Sequence, residues 1–523
     1  MAFSNRERDI FIIKLPEMID RGALMSRYSR ASNLDIRDVY RKEFEGKREK
    51  GSDFYKRIFL DYGDESIAEL TTEQIGIQNV SNIASKIIEE VRVGLSYLEK
   101  STRYVRYDKK IDGKYLYMDP EQIGIYGKTA DDYVDLCNDL FDFYSSSYDE
   151  IKSSIEHQYP VDDFYFETGD GMKLYSDLEE QDRQMAIKSY NSATRSRTLD
   201  ELRLVLPAST LTNLGISGNG RSFIHLIQKL YEYDLPETRK IAESLYNELR
   251  PELPELIDES TSLRGNELID YKKSIMNMRP YENYGKITED VSIIWYEREN
   301  DALDRVLSLI QYPFGEDAVS IKKSIENISY QEKVDMIKKI AEMRKNRRMK
   351  LWRPFESVAY TLEINTNYGA FRDMQRHRFL SIIRKPLNTN YGYDIPEFIS
   401  KSEKLKEEYC SLMDDAQTLY QDSKRQYGAY IAQYAVPMSF KYPVAVTSNL
   451  SELTYFIELR STPQAHPDMR LVAIKAYEAI RKIHPLLSTL IKFVDIDSYP
   501  LGRLSAEMHN ERKKNAMGSD SGK

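Results

Sequence analysis

The segment MQRHRFLSIIRKPLNTNYGYDIP, residues 374–396, concentrates fixed positive charge just before a loop rich in Pro, Asn and Gly. Its first part contains the triplet Arg376, His377 and Arg378. Two arginines that flank a titratable histidine favour an anionic ligand, most simply a phosphate, if the three side chains share one pocket. The alternative is an amphipathic helix end whose charges are solvated.

The composition of the chain limits which ligands such a pocket can bind. The chain has 523 residues and a formal net charge of -9, so a polyanion site must be local and general nucleic-acid binding is not expected. Cys137 and Cys410 lie far apart, and the six histidines show no metal-ligand spacing, so we expect no metal enzyme, with magnesium held by carboxylates as the open alternative. No apolar run approaches the ~20 residues of a membrane span, and no signal peptide is evident. We therefore expect a cytoplasmic protein without a membrane partner.

A break rich in Pro and polar residues divides the chain at 251–290, after which an apolar pattern restarts with VSIIWYEREN. This predicts two halves, 1–275 and 280–511, with an insert at about 108–195 in the first half. The polarity of residues 512–523 predicts a disordered tail.

Apolar periodicity predicts that most of the chain is helical. Between residues 80 and 91 the apolar side chains recur at helical spacing, which predicts a helix that ends near residue 95. Further helical segments are expected at 222–250, 317–346, 402–430 and 468–492.

A second segment, SYLEKSTRY at 96–104, makes the phosphate interpretation more specific. If the segment is extended, Ser101 and Arg103 point to the same side, and Glu99 lies on that side too. A hydroxyl and a guanidinium on one face can hold a phosphate, whereas a carboxylate there needs a donor such as a sugar hydroxyl.

Together the two segments resemble the signature of the flavin-dependent thymidylate synthases, R-H-R-x(2)-S-x-N-E-x-S-x-R-Y. Residues 376–381, RHRFLS, are similar to its first part, and residues 99–104, EKSTRY, to its last part. Each half thus keeps one part. In the first half the lost triplet would fall at 91–93 or 89–91, and in the second half the lost S-x-R would fall at 386–388 or 388–390.

Other blocks resemble the family in the same order in both halves. They are DESIAE (64–69) and LWRPFE (351–356), LRLVLP (202–207) and AQYAVP (432–437), NGRSFIHLIQKL (219–230) and NLSELTYFIELR (449–460), and PETRKIA (236–242) and HPDMRLVAIKA (466–476). The final arginine of the family survives in the second half alone, as Arg460, because Leu230 stands there in the first half.

The resemblance implies an α/β (α+β) fold of two tandem units, with helices packed on mainly antiparallel sheets and a pseudo-twofold between the units. It implies reductive methylation of dUMP to dTMP, with FAD as cofactor and NADPH and methylenetetrahydrofolate as co-substrates. Active sites of the family lie between subunits, so two incomplete halves would build one composite site. A homodimer would then form a pseudo-tetramer.

The resemblance also implies roles for individual residues. Arg460 would be catalytic. The substrate would be bound by Arg376, Asp373, Glu99, Ser101, Arg103 and Arg203. The flavin would be bound by Ser66, Glu69, His377, Arg378, Glu356, Asn219 and Arg221.

Alternatives stay open at this stage. A tandem with partly lost motifs is also typical of a catalytically inactive nucleotide- or flavin-binding scaffold, and a flavoenzyme acting on another nucleotide fits the same residues. Arg460 at a helix end is also explained as a charge that complements the helix dipole. Asn219 and Gly220 are also explained as a turn before a helix.

Overall fold

The computed structural model describes residues 2–5, 7–29, 35–46, 65–278, 287–315 and 317–520, with the side chains of 65–67, 255 and 515–520 left out. The described residues fall into two compact units. Unit 1 is drawn from Met1–Lys100, Tyr117–Asp131 and Ser209–Tyr284. Unit 2 is drawn from Ser101–Leu116, Asp132–Ala208 and Gly285–Lys523.

The strands alternate with many helices along the chain. The strands of the described residues are β1 Thr72–Ser81, β2 Leu95–Glu99, β3 Tyr165–Thr168, β4 Gly171–Leu174, β5 Leu211–Asn219, β6 Val291–Trp295, β7 Ala359–Asn367, β8 Ser381–Ile383 and β9 Lys441–Asn449. Short 3₁₀ helices lie at Glu65–Leu70, Val161–Asp163, Tyr175–Asp177, Glu259–Thr261, Tyr312–Phe314, Arg353–Ser357, Gln433–Ala435 and Leu487–Leu490.

The α-helices carry most of the described residues. They are α1 Met18–Ser29, α2 Ile36–Glu43, α3 Asn82–Ile88, α4 Pro120–Ile123, α5 Lys128–Ser146, α6 Tyr148–Gln158, α7 Glu180–Leu202, α8 Gly220–Tyr231, α9 Pro236–Leu249, α10 Pro254–Asp258, α11 Leu263–Met276, α12 Glu299–Gln311, α13 Ala318–Glu326, α14 Tyr330–Met343, α15 Tyr368–Met374, α16 Glu397–Ser400, α17 Glu403–Tyr427, α18 Ala429–Ala432, α19 Leu450–Arg460, α20 Pro467–Ile483 and α21 Leu504–Asp520.

Each unit contains one main sheet. Unit 1 has the strand order β1-β5-β2, and unit 2 has the order β6-β7-β9-β8 together with the hairpin β3-β4. Every strand pair among the described residues is antiparallel. In β7 the side chains of Tyr360, Leu362 and Ile364 are buried at every second position, which is the pattern of a strand with one face on the core.

The two main sheets repeat one arrangement, which confirms the predicted tandem α/β (α+β) fold. Thr72 pairs with Asn219 at the start of β1, and Ala359 pairs with Asn449 at the start of β7. Both strands lead directly into a seven-residue helix, α3 in unit 1 and α15 in unit 2. The side chain of the preceding residue, Ser81 or Asn367, caps each helix.

The unit boundaries differ from the division read in the sequence. Much of the predicted insert at about 108–195 belongs to unit 2, where α7 packs against the C-terminal helix α21. That helix runs through Asp520, so 512–520 is helical where a disordered tail was expected, and 521–523 lie outside the described residues.

The expected helix over residues 80–95 is much shorter in the structure. β1 extends to Ser81, and α3 ends at Ile88 because a turn leads from it into β2. The other predicted segments are helical in part: 222–250, 317–346 and 402–430 are each divided into two helices, and the α-helix predicted over 468–492 ends at Ile483.

No helix among the described residues has both the length and the apolar character required to cross a membrane.

A buried ion pair fixes α19 within unit 2. Arg344, which follows α14, donates from Nη1 and Nη2 to the two carboxylate oxygens of Glu458, each at 2.7 Å. The two side chains are 6% and 1% exposed, so each charge depends on the other for compensation. Removal of one partner from a buried pair leaves a charge without compensation.

We therefore predict that Glu458→Ala lowers the free energy of unfolding by about 3–5 kcal/mol. The double variant Arg344→Met, Glu458→Leu should lose much less, because no isolated charge remains in the core. Urea unfolding of the two variants and the unaltered chain measures the difference. Equal losses in the single and double variants would contradict the assignment.

Candidate active site

Unit 2 brings together arginines from both halves of the sequence around one buried carboxylate. The arginine cluster consists of Arg103, Arg203, Arg376 and Arg460, and the carboxylate is Asp373 on α15. Arg103 lies in the turn after β2, and Arg203 directly follows α7. Arg376 lies two residues beyond α15, and Arg460 is the last residue of α19.

Asp373 is buried and incompletely hydrogen-bonded. Its Oδ2 lies 3.5 Å from Arg203 Nη2, and its Oδ1 lies 3.9 Å from Arg376 Nε. Within the described part of the chain, Asp373 Oδ2 accepts no hydrogen bond. Burial alone would raise the pKa of Asp373, but the charges of the arginine cluster, that of Arg203 above all, hold it well below its usual range.

A second carboxylate neutralises Arg103. Its Nε and Nη2 donate to the two oxygens of Asp200, each at 2.7 Å. Burial would lower the pKa of Arg103, but Asp200 raises it above its ordinary value. Burial would likewise raise the pKa of Asp200, but Arg103 lowers it. Both groups are therefore ionised at neutral pH.

One nitrogen of the Arg203 guanidinium remains without a hydrogen-bond acceptor among the described residues. Its Nη2 donates to the main-chain oxygen of Gly369 at 3.0 Å, while its Nε has no hydrogen-bond acceptor among the described residues. Burial lowers the pKa of Arg203. The four guanidinium groups of the cluster face two carboxylates, Asp200 and Asp373, so the cluster keeps a surplus of positive charge.

His377 is buried behind Arg460. Its Nε2 accepts a hydrogen bond from Arg460 Nε at 2.9 Å, and its Nδ1 lies 3.5 Å from Glu452 Oε1. Arg460 Nη2 also donates to the main-chain oxygen of Asp373 at 2.8 Å. The sequence assigned His377 to a cofactor, but the structure gives it internal partners, whereas the neighbouring Arg378 is exposed.

The segment around Ser101 is not extended. β2 ends at Glu99, and residues 102–104 form a turn in which Ser101 Oγ accepts from the main-chain nitrogen of Arg103 at 3.2 Å. The same-face argument for Ser101 and Arg103 is therefore wrong, although Arg103 does reach the cluster.

Other predicted residues lie in unit 1. Glu99 is buried there and accepts from Lys86 Nζ at 3.0 Å. Arg221 pairs with Glu69 at 2.9 Å, and Asn219 caps α8 by accepting from the main chain of Ser222.

Two further assignments fall on 3₁₀ helices. Ser66 lies in the 3₁₀ helix Glu65–Leu70, and its side chain is outside the described part of the structure. Asp64 lies outside the described residues altogether. Glu356 is exposed in unit 2 on the 3₁₀ helix Arg353–Ser357.

The equivalent position in unit 1 carries the opposite charge. Helices α3 and α15 have the same length, so Glu90 occupies the place of Arg376, and Val91 that of His377. This alignment differs by one residue from each of the two alignments that the sequence suggested. Glu90 accepts from Lys229 at 2.8 Å and from Tyr233. This position is thus filled by an internal ion pair and offers no arginine for an anion.

Three residues of the site escaped the sequence analysis, namely the buried Asp200 and His466 and the half-buried Glu452. His466 caps α20, accepting at Nδ1 from the main chain of Asp468 at 3.2 Å, and its Nε2 lies 3.5 Å from the main-chain oxygen of Asp200. Burial, followed by the charge of Arg203, lowers the pKa of His466 to about 4. Asp200 offered one signal, since it stands one helical turn before Arg203.

Comparison with known proteins identifies the family of the chain. The sequence profile described as thymidylate synthase complementing protein matches residues 16–255 and again residues 299–486. The chain therefore belongs to this family and contains it twice, and family membership makes it a methyltransferase-like enzyme.

Relatives of the same length and shorter relatives both occur. A UPF0159 protein of Thermoplasma acidophilum is 56% identical over 95% of this chain and 99% of its own length, and one of Chlamydia pneumoniae is 30% identical over 97% and 96%. The flavin-dependent thymidylate synthase of Pyrococcus abyssi is 33% identical over 20% of this chain and 48% of its own. The crystal structure of a UMP/dUMP methylase from Streptomyces cacaoi matches 38% of this chain and 93% of its own, at 18% identity and a TM-score of 0.30.

The lowered pKa of His466 leads to a prediction about stability and pH. The unfolded chain takes up a proton on this histidine near pH ~6.5, whereas the folded chain does so only near pH 4. The contribution of neutral His466 to the free energy of unfolding is therefore complete above about pH 6.5, and it is lost as the pH falls from there toward 4. His466→Asn, which retains a capping side chain, should lose less stability between about pH 7 and about pH 5.

Urea unfolding at the two pH values measures this difference. The matched control is His509→Asn, because His509 is exposed on α21. An unchanged pH dependence in His466→Asn would contradict the assignment of His466 as a buried neutral residue.

Proposed function

We propose that the chain catalyses the FAD-dependent reductive methylation of dUMP to dTMP at a composite site formed around Asp373 in unit 2. The single observation that supports this most strongly is the arginine cluster. Arg103 and Arg203 come from the first half of the sequence, Arg376 and Arg460 come from the second, and all four charges act on one carboxylate. The relatives named flavin-dependent thymidylate synthase support the choice of reaction.

The charge balance of the cluster suits a nucleoside monophosphate. At neutral pH the phosphate carries about -1.5 to -2 charges, as for other phosphate monoesters. The four guanidinium groups exceed Asp200 and Asp373 by two charges, so a bound phosphate would neutralise the surplus. In this proposal Arg376, Arg103 and Ser101 hold the phosphate, and Arg203 donates from its Nε, which has no hydrogen-bond acceptor among the described residues.

Arg460 has a different role from the phosphate ligands. Its guanidinium is fixed by two hydrogen bonds, to His377 Nε2 and to the main-chain oxygen of Asp373. A guanidinium that is already oriented stabilises negative charge without reorganisation during the reaction. We assign Arg460 to the pyrimidine ring, where it would stabilise the charge that develops as C5 becomes a nucleophile.

The residues near the cluster also fit a flavin with a diphosphate. Arg378 and Phe379 are exposed beside the buried His377, and they offer a cation and an aromatic ring to such a group. When bound, the flavin supplies reducing equivalents drawn from NADPH, and methylenetetrahydrofolate supplies the carbon. His377 would act on the site through Arg460.

Two measurements test this function directly. The purified protein should bind FAD and become yellow, and with NADPH and methylenetetrahydrofolate it should release tritium from [5-³H]dUMP. Flavin binding without tritium release would favour the inactive scaffold or another nucleotide as substrate. A protein that takes up neither FAD nor dUMP would contradict the proposal.

The composite site leads to a prediction about affinity. Each charge-assisted contact to phosphate is worth roughly 1.5–3 kcal/mol, so Arg103→Ala and Arg376→Ala should each weaken dUMP binding by about ten- to a hundredfold. Calorimetry should also show one dUMP per chain, because Glu90 and Lys229 fill the equivalent position in unit 1.

The control for these variants is Arg481→Ala, an exposed residue of α20, which should bind dUMP unchanged. Two dUMP molecules per chain, or unaltered affinity in Arg103→Ala, would show that the halves do not share one site.

A separate prediction concerns the flavin. Arg378→Ala should weaken FAD binding by about tenfold or more, since a charge-assisted contact to the diphosphate is lost. Fluorescence titration of the flavin-free protein with FAD measures it. Arg425→Ala is the control, because Arg425 is 77% exposed and pairs with Asp422 on α17. Equal loss in both variants would indicate a general charge effect instead of a contact.

A further inference from the structure

Glu452 lies in the first turn of α19 and reaches His377 from the side opposite Arg460. Its backbone is held by the helix cap, since its main-chain nitrogen donates to Asn449 Oδ1 at 2.9 Å. Its side chain is 12% exposed, and its Oε1 lies 3.5 Å from His377 Nδ1. No role was predicted for this residue, although it lies within the block NLSELTYFIELR (449–460).

The hydrogen bonds of His377 determine which ring nitrogen carries the proton. A guanidinium donates and cannot accept, so His377 Nε2 must be unprotonated in order to accept from Arg460. The proton of the neutral ring is then on Nδ1, facing the Glu452 carboxylate. Tyr455 and Phe456 hold the ring from its sides, with centroids 5.7 Å and 5.0 Å away.

We propose that Glu452 is a positioning residue that fixes the tautomer and orientation of His377, and through it the guanidinium of Arg460. This inference rests on the proposed function in so far as Arg460 acts on the pyrimidine. The carboxylate accepts a hydrogen bond from Nδ1–H, so the proton stays on Nδ1 and Nε2 stays free to accept from Arg460 Nε. Arg460 Nη2 is held by Asp373, and the two contacts together fix the plane of the guanidinium.

The groups around His377 determine how the contacts that join Glu452, His377 and Arg460 respond to pH. The charged and titratable groups that face it are Glu452, Arg460 and Tyr455 on α19 and Asp373 on α15. Burial lowers the pKa of His377, the Arg460 charge lowers it further, and Glu452 opposes both. A protonated His377 could not accept a hydrogen bond from Arg460, so the contacts that join Glu452, His377 and Arg460 exist only while the ring is neutral. Removal of the Glu452 charge should therefore lower the pKa of His377.

The closing experiment compares Glu452→Ala and Glu452→Gln with the unaltered protein. ¹⁵N NMR of histidine-labelled protein reads the tautomer, with His377→Gln used to assign the signal among the six histidines. We expect the Nδ1-protonated form in the unaltered protein and in Glu452→Gln, whose amide oxygen also accepts. We expect mixed tautomers in Glu452→Ala, and a His377 titration at lower pH in both variants.

Steady-state methylation of dUMP provides the kinetic readout. Glu452→Ala should lower kcat by about ten- to a hundredfold with little change in KM, as for other groups that orient a functional histidine, and Glu452→Gln should recover most of the loss. The exposed residue Glu478 on α20 supplies the control Glu478→Gln, which should match the unaltered protein.

The two readouts fail in different ways. If the unaltered protein does not methylate dUMP, the proposed function is wrong, and the tautomer alone then decides whether Glu452 positions His377. If Glu452→Ala keeps a single Nδ1-protonated tautomer, the positioning role is overturned. Should Glu452→Ala not fold, the titration of His377 in Glu452→Gln decides, and an unshifted titration would overturn the proposal.

Discussion

The electrostatic interaction of Asp373 with four arginines is the constraint on which the site of unit 2 depends. Like charges at this density repel one another in a buried environment unless carboxylates compensate them. Asp373 and Asp200 reduce the surplus without removing it. The result is a cluster with a surplus of positive charge, in which Arg203 Nε has no hydrogen-bond acceptor among the described residues.

This interaction also explains the uneven division of motifs between the halves. In the proposed site the phosphate ligands are split, with Arg103 in one half and Arg376 in the other, so loss of the opposite copies would cost nothing at that site. At the equivalent position of unit 1, Glu90 forms an ion pair with Lys229 in place of an arginine. A duplicated chain can thus reduce the number of its sites while it completes one of them.

The tandem fold could be predicted from the sequence, because the residues of each motif keep a constant spacing in both halves and can be recognised by it. Sequence reasoning failed where local context overrides periodicity. The apolar stripe at 80–91 predicted one long helix, yet its first two residues end β1, and Ser81 caps a helix of seven residues. It also missed Asp200 and Glu452, since each acts on a residue far away in sequence, Arg103 or His377, and no spacing rule connects them.

The central claim is that residues from both halves hold one substrate phosphate, and a structure of the chain determined with dUMP bound tests it most directly. The account predicts one dUMP per chain, with its phosphate within hydrogen-bond distance of both Arg103 and Arg376 and its pyrimidine beside Arg460. A phosphate held by residues of one half alone, or a second dUMP at Glu90, would contradict it.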